Sequence, residues 1–156
     1  MYVFRLCFSL FTLLLFSSIP VLGQFHFSEP FSTDFGSDSH EIALDFFNND
    51  SYVDIVVANF TTDEVTILKG NGNGFFTVLQ IIPLGQKPTD VATGDFNEDQ
   101  QVDLAIVVQS IENEIIIAYG NGDGTFSISN TMTDGSPNDI VVTDLNMDLK
   151  DDLVMA

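Results

Sequence analysis

The sequence predicts an all-β fold of repeated four-stranded sheets, the pattern of β-propeller blades, and three observations predict it. An acidic loop occurs three times, beginning at Asn48, Asn97 and Asn146, so that successive copies lie 49 residues apart by subtraction. A run rich in β-branched residues follows each loop, and glycine-rich turns occur at residues 70–74 and 120–124. A fixed period of about 40–50 residues marks stacked supersecondary units, and a propeller blade has four short strands.

The middle repeat, residues 85–136, shows how the four strands are predicted. A short apolar strand at residues 91–93 enters the acidic loop, and a β-branched strand at residues 103–108 leaves it. Residues 115–119 form the third strand, and after the glycine-rich turn residues 125–128 alternate as a half-exposed fourth strand. The first repeat has the same order. Because the strand after each loop is continuously apolar, we expect it to be buried on both faces.

The repeats amount to about two and a half blades. Closed propellers use about 4–8 blades, whereas the part after the predicted leader, residues 24–156, holds two complete repeats and the start of a third. The last residue, Ala156, falls within the strand that leaves the third loop. We therefore expect a partial propeller that is truncated at its C-terminus.

The N-terminus has the layout of a secretory signal peptide, predicted to span residues 1–23. Arg5 supplies the positive charge, residues 6–16 are mainly apolar, and a small-residue cleavage site ends at Gly23. The alternative is an uncleaved membrane anchor, which the short apolar core disfavours. We expect the protein to be secreted into the extracellular space.

Residues 24–156 contain no cysteine, because Cys7 lies inside the predicted leader. A secreted protein without disulfides needs another source of stability, and a bound cation is one. Two N-glycosylation sequons, at Asn49 and Asn59, fit an extracellular glycoprotein.

The charge of the chain excludes one class of partner. The formal net charge is −19, and so acidic a surface repels nucleic acid and anionic lipid. Disorder is disfavoured because 45% of the residues are hydrophobic. Eight acids occupy loop positions where bound cations would relieve their repulsion: Asp50, Asp54, Asp95, Asp99, Asp103, Asp144, Asp148 and Asp152.

The second loop has the spacing D-x-N-x-D-x₃-D, which suits a hard cation. Asp95, Asn97 and Asp99 can each present an oxygen, the carbonyl of Gln101 adds a backbone ligand, and Asp103 can close the site. About six oxygens lie within the range that Ca²⁺ prefers. The third loop repeats the set with Asp144, Asn146, Asp148, the Lys150 carbonyl and Asp152. An EF-hand is excluded because the glycine and glutamate that it requires are missing and strands flank the loop.

The first loop departs from this pattern. It retains Asn48, Asp50 and Asp54, but Phe46 stands where Asp95 stands in the second loop, and Asp45 falls one position early. Either Asp45 reaches in through a bulged backbone, or the site is weak or empty. For all three loops, the alternative is that Asp and Asn side chains merely satisfy turn backbones.

These loops, the apolar strands and the GNGDGTF turn resemble the FG-GAP/VCBS repeats of integrin α-subunit-like propellers. The resemblance covers about residues 32–156. It implies that each loop sits in a β-hairpin on one rim of the propeller and holds Ca²⁺. By this resemblance the same role falls to Asp95, Asn97, Asp99 and Asp103, and to Asp144, Asn146, Asp148 and Asp152.

No catalytic constellation is visible, so we expect a protein that is not an enzyme. His26 and His40 are the two histidines, and we expect His40 at an exposed blade position. The glycine-rich turns lack the lysine and helix of a phosphate site. Three functional classes stay open: extracellular recognition or adhesion, a lectin-like sugar binder, and an accessory domain of a larger secreted enzyme. The expected partner is an extracellular protein or glycan, with a membrane reached only through a segment not present in this chain.

Overall fold

The structure, a computed structural model, describes residues 39–109, 114–132 and 137–156. The predicted signal peptide, residues 1–23, lies outside the described residues, as do Cys7 and His26. Within the described part the regular elements are β-strands, as predicted, and no helix there is long and apolar enough to cross a membrane.

The strands of the described residues form three antiparallel sheets. The first sheet contains β1 (Ser39–Asp45), β2 (Asp54–Asn59), β3 (Glu64–Gly70) and β4 (Phe76–Pro83), in that order. The second contains β5 (Lys87–Gly94), β6 (Asp103–Gln109), β7 (Glu114–Gly120) and β8 (Phe126–Met132). The third contains β9 (Ile140–Thr143) and β10 (Asp152–Met155).

This architecture confirms the predicted all-β fold and the predicted blade pattern. Within each sheet every strand pairs with the next along the chain, and the acidic loops join the first and second strands of each sheet. Two four-stranded sheets and one two-stranded sheet make about two and a half blades, and the sheets do not close on one another.

The irregularities of the two complete sheets also repeat. The register between the third and fourth strands shifts between Ile67 and Leu68 in the first sheet, and between Ile117 and Ala118 in the second. Such bulges insert an extra residue and increase the local twist. Their recurrence at matched positions supports one structural unit that is used twice.

The core lies between the sheets, and β6 is buried on both faces. Leu104, Ile106 and Val108 pack against the first sheet, whereas Ala105 and Val107 pack toward the third. Side chains alternate between the two faces of a strand, so a continuously apolar run suits a sheet that is covered on both sides. The predicted burial of this strand is confirmed.

In the first two loops, the apolar residue directly before the loop asparagine packs between neighbouring sheets. Phe47 is buried and its ring meets the edge of Phe126 at a centroid distance of 5.4 Å. Phe96, the matching residue of the second loop, packs against the buried apolar residues that lie between the second and third sheets. From the sequence, the apolar residue at this position of each loop is expected to point into the core. For Leu145 of the third loop that expectation is wrong, because Leu145 is 65% exposed and no further sheet covers it among the described residues.

Candidate metal centre

The three acidic loops lie at equivalent ends of their sheets. With the two residues that precede each loop asparagine, they occupy residues 46–53, 95–102 and 144–151, each in the hairpin between the first and second strands of a sheet. The second and third loops are in direct contact. The Lys150 ammonium lies 2.6 Å from a Glu98 carboxylate oxygen, and Asp151 Oδ2 accepts the Asp95 N–H at 2.8 Å.

The second loop is held by its own predicted ligands. Asp95 accepts the N–H groups of Asp99 at 3.1 Å and Gln100 at 2.8 Å. Asn97 Oδ1 accepts the Asp99 N–H at 2.9 Å, and Asp99 Oδ1 accepts the Gln101 N–H at 2.8 Å. These side chains therefore fold the loop tightly around the oxygen atoms that they carry.

The third loop repeats this arrangement. Asp144 Oδ2 accepts the Leu149 N–H at 2.8 Å, and Asn146 Oδ1 accepts the Asp148 N–H at 2.8 Å. Asp148 Oδ1 accepts the Lys150 N–H at 3.0 Å. At the end of the loop, a carboxylate oxygen of Asp152 accepts the N–H of Leu145.

Both loops also share an unusual backbone conformation. Glu98 and Gln100 have φ angles of 63° and 67°, and Met147 and Leu149 have 64° and 68°. Positive φ is uncommon for residues other than glycine and costs free energy. Asp95 and Asp144 accept N–H groups from this part of the loop and thereby offset that cost. All residues of the first loop are described, and none of them has positive φ.

The last predicted ligand of the second loop is a buried structural carboxylate. Asp103 is fully buried, and its two oxygens accept the N–H groups of Phe96 at 2.9 Å and Gly120 at 2.8 Å. Asp54 is equally buried and accepts the Gly70 N–H at 2.9 Å in the first sheet. These carboxylates tie each acidic hairpin to the glycine-rich turn of the same sheet.

Burial raises the pKa of the Asp103 carboxyl above its ordinary value. The N–H groups of Gly120 and Phe96 act in the opposite direction, whereas the negative charges of Asp99 and Asp95 raise the pKa further. The charges of Asp95 and Asp99 are therefore close enough to disfavour the ionised form of Asp103. Neutralising this charge would stabilise the loop.

The first loop is built differently because an aspartate is missing. Phe46, which takes the place of Asp95, is 52% exposed. Asp45 Oδ1 accepts the Phe46 N–H at 2.8 Å. Asp50 forms an ion pair with Lys69 at 3.0 Å. The Tyr52 N–H and then the Lys69 ammonium lower the pKa of Asp50.

Two further predicted ligands of the first loop bind each other. The Asn48 amide donates to Asp54 Oδ2 at 2.7 Å, while Asn48 Oδ1 accepts the Asp50 N–H at 2.8 Å. The first loop therefore gathers Asn48, Asp50 and Asp54, but it places a lysine and an amide N–H beside their carboxylates. Sequence reasoning missed Lys69, because it lies on β3 and reaches the loop only in the folded sheet.

The donor chemistry of the second and third loops fits Ca²⁺. Each loop carries three carboxylates, one amide and one backbone carbonyl, all oxygen donors of the kind that Ca²⁺ selects. Within the described residues, no group of three or more His, Cys, Asp or Glu side chains is placed to hold a metal ion. The fit therefore rests on the type and order of the donors and on the matched loop conformation.

The two predicted glycosylation sequons differ in accessibility. Asn59 is 2% exposed, and its amide donates to Thr66 Oγ1 at 2.9 Å. A glycan on this nitrogen is incompatible with the folded sheet. Asn49 is exposed, and its side-chain amide donates to the Gly122 carbonyl at 3.0 Å. This bond uses one of the two amide hydrogens.

The comparison with known families agrees with the repeat architecture. Residues 47–106 match the family model described as an FG-GAP-like repeat. The matched segment begins in the first acidic loop and ends in β6, so it crosses from the first sheet into the second. No curated protein matches the chain, and no solved structure matches it either. The chain therefore carries an FG-GAP-like repeat, as the resemblance of its loops and turns predicted.

Proposed function

We propose that the protein is a secreted calcium-binding β-propeller module for extracellular recognition or adhesion, in which Ca²⁺ makes the hairpin loops rigid. The observation that carries the proposal is the matched geometry of the second and third loops. Both have the same side-chain caps on the backbone and the same pair of residues at positive φ. In the first loop Asn48 and Asp50 cap the backbone as well, but the caps from a leading aspartate and the residues at positive φ are missing.

Two sets of residues would hold the cations. The first set is Asp95, Asn97, Asp99, the Gln101 carbonyl and Asp103, and the second is Asp144, Asn146, Asp148, the Lys150 carbonyl and Asp152. A bound Ca²⁺ supplies positive charge and a cross-link between the ends of each loop. Burial is the main cause that raises the pKa of Asp103, and the charges of Asp99 and Asp95 raise it further; a cation in the second loop would offset these charges.

The first loop is proposed to bind Ca²⁺ weakly or not at all. Lys69 already supplies a positive charge to Asp50, and the Asn48 amide occupies one oxygen of Asp54. An ammonium group placed among the donors would repel an entering divalent cation. Asn48, Asp50 and Asp54 therefore stabilise the first sheet without a metal.

Recognition or adhesion is the functional class that fits best. Loops on a rigid sheet scaffold commonly carry binding residues, and the acidic surface disfavours nucleic acid. The partner is proposed to be an extracellular protein or glycan. An enzymatic role is not proposed, because the candidate site offers metal donors and no pairing of a nucleophile with a base.

Calcium titration of the purified protein tests this proposal. After treatment with a chelator, calorimetry should find two Ca²⁺ ions, and saturating Ca²⁺ should raise the melting temperature by about 5–10 °C. Asp99→Asn and Asp148→Asn should each remove one ion and part of the temperature rise. Asp50→Asn is the matched control from the first loop and should leave the stoichiometry unchanged. An unaltered Ca²⁺ response in both loop variants would overturn the proposal.

A further inference from the structure

A shallow pocket of about 380 Å³ lies beside the first loop, between it and the glycine-rich turn of the first sheet. Two aromatic side chains on its lining are exposed: Tyr52 by 47% and Phe75 by 56%. Ser51 and Asn71 add polar groups to the same lining. A concave site with apolar walls and a few polar groups is the usual form of a small-molecule site.

The backbone holds the Tyr52 ring in place. A Cβ atom built on Gly72 would lie 2.2 Å from a ring carbon of Tyr52, so the ring lies directly against the glycine. Gly72 also has a positive φ of 75°. Because no side chain intervenes, the ring packs on the turn itself, and less conformational freedom remains to be lost when a ligand binds.

The second sheet shows that these aromatic residues are particular to the first. Gln101 takes the place of Tyr52, and its side chain lies against Gly122 as Tyr52 lies against Gly72. Thr125 takes the place of Phe75 in the matching turn. The fold therefore accommodates polar residues at both positions, and the aromatic pair is not required to form the turn.

The exchange also changes the hydrogen bonding of the turn. In the second sheet the Asn121 amide donates to Thr125 Oγ1 at 2.9 Å. In the first sheet Asn71 Oδ1 accepts the Asn73 N–H at 2.9 Å and the Phe75 N–H at 3.3 Å, which orients the amide. Phe75 has no hydroxyl, so it offers the Asn71 amide no acceptor of the kind that Thr125 provides.

We propose that this pocket binds a neutral pyranose ring of a glycan. A pyranose combines an apolar C–H face, which packs on an aromatic ring, with hydroxyl groups that accept and donate hydrogen bonds. Tyr52 and Phe75 supply the aromatic surface, and Asn71 and Ser51 supply the polar groups. The net charge of −19 disfavours anionic sugars.

This inference deepens the proposed recognition function, on which it rests, by naming the ligand class. It does not depend on bound Ca²⁺ at the first loop, where Lys69 pairs with Asp50. Calcium binding and sugar binding are therefore separate measurements. If the protein binds a sugar but no Ca²⁺, only the calcium proposal is contradicted. If it binds Ca²⁺ but no sugar, only the pocket proposal is contradicted.

The experiment titrates the protein with neutral methyl pyranosides and observes saturation transfer by NMR. The double variant Tyr52→Gln/Phe75→Thr installs the residues that the second sheet uses at the same positions, so it should fold with a melting temperature close to that of the parent. We expect at least one neutral pyranoside to bind the parent and to lose about tenfold or more in affinity in the variant. A uronic acid of the same ring size should bind more weakly to both.

Three results would overturn the proposal. The first is that no neutral pyranoside binds the parent protein at concentrations up to about 50 mM. The second is that the folded double variant binds as well as the parent. The third is that a proline-rich or aromatic peptide binds at Tyr52 and Phe75 while every pyranoside fails, which would assign the pocket to protein recognition.

Discussion

The buried carboxylate of Asp103 accepts the backbone N–H of Gly120 at 2.8 Å, across 17 residues of chain. Asp54 and Gly70 make the same contact at 2.9 Å in the first sheet. Each bond joins the end of an acidic hairpin to the start of a glycine-rich turn. The two most characteristic segments of the repeat are therefore one structural unit.

Replacing Asp54 by Asn should destabilise the protein. The amide keeps one acceptor oxygen but brings an N–H group toward the buried N–H of Gly70 or Phe47, and an unsatisfied buried donor costs about 1–3 kcal/mol. The measurement is chemical denaturation in chelator. Glu41→Gln, an exposed carboxylate on β1, is the control and should change the free energy of unfolding by less than about 0.5 kcal/mol. Equal effects of the two substitutions would contradict the structural role of Asp54.

Gly120→Ala should also lower the free energy of unfolding, by about 2 kcal/mol or more. A Cβ atom at Gly120 would lie 2.2 Å from the Val102 carbonyl oxygen, so the turn would have to move away from the hairpin. Gly85→Ala is an informative comparison, because Gly85 has a positive φ of 70° but open space around its Cβ position. Its cost should be confined to backbone strain, about 1–2 kcal/mol. A larger loss at Gly85 than at Gly120 would be inconsistent with this steric explanation.

The stability contributed by the contact between the second and third sheets should depend on pH, because Asp90 takes part in that contact. Its buried carboxylate accepts the Ile140 N–H at 2.7 Å, and burial raises its pKa above the ordinary value near 3.8. The hydrogen bonds from Ile140 and Val91 lower the pKa, whereas the carboxyl of Asp139 raises it. The folded state therefore binds the Asp90 proton more tightly than the unfolded state does, and this contribution to stability is present at low pH and is lost as the pH rises.

Melting temperatures of the parent and of Asp90→Asn, measured from pH 3 to pH 7, test this effect. The parent-minus-variant difference should decrease as the pH rises from below 3.8 through the raised pKa, because only the parent ionises at this position. Carboxylates that do not interact with Asp90 cancel in the difference. A difference that grows with pH would show that the folded state prefers the charged form.

Glycosylation should distinguish the two sequons if the protein is produced in a secreting eukaryotic host. Asn49 is exposed, whereas the Asn59 amide is buried against Thr66. Mass spectrometry should therefore find a glycan at Asn49 and none at Asn59 in the folded protein. Asn49→Gln should remove the glycan mass. Asn59→Gln should lower the stability of the protein and leave the glycan mass unchanged. A glycan on Asn59 in folded material would show that β2 is packed differently.

Phe46→Asp should create a third calcium site, since it restores the leading aspartate of the other two loops. Phe46 is exposed, so the substitution should cost little core packing. Combining it with Lys69→Met removes the cation that pairs with Asp50. Calorimetry should then find one more Ca²⁺ ion than in the parent. An unchanged stoichiometry would mean that the leading aspartate does not decide which loops bind Ca²⁺.

The sequence by itself determined the strands, the repeat and the position of each acidic loop. Those features depend on local periodicity and turn chemistry. The apolar run of β6 indicates a buried strand, and Gly120 indicates a turn. Even the difference of the first loop was visible, because Phe46 interrupts the donor spacing. The bounds of the strands followed to within a few residues.

Tertiary structure alone decided which polar residues are buried and which cations and rings meet the loops. Asp103 and Asn59 look like exposed loop or strand-end residues in sequence, but neighbouring strands and sheets cover them. The pairing of Lys69 with Asp50, the bond from Asp90 to Ile140 and the pocket at Tyr52 all join residues that are distant along the chain or lie in different strands. Such contacts depend on the register and stacking of the sheets, and hydrophobic periodicity predicts these only approximately.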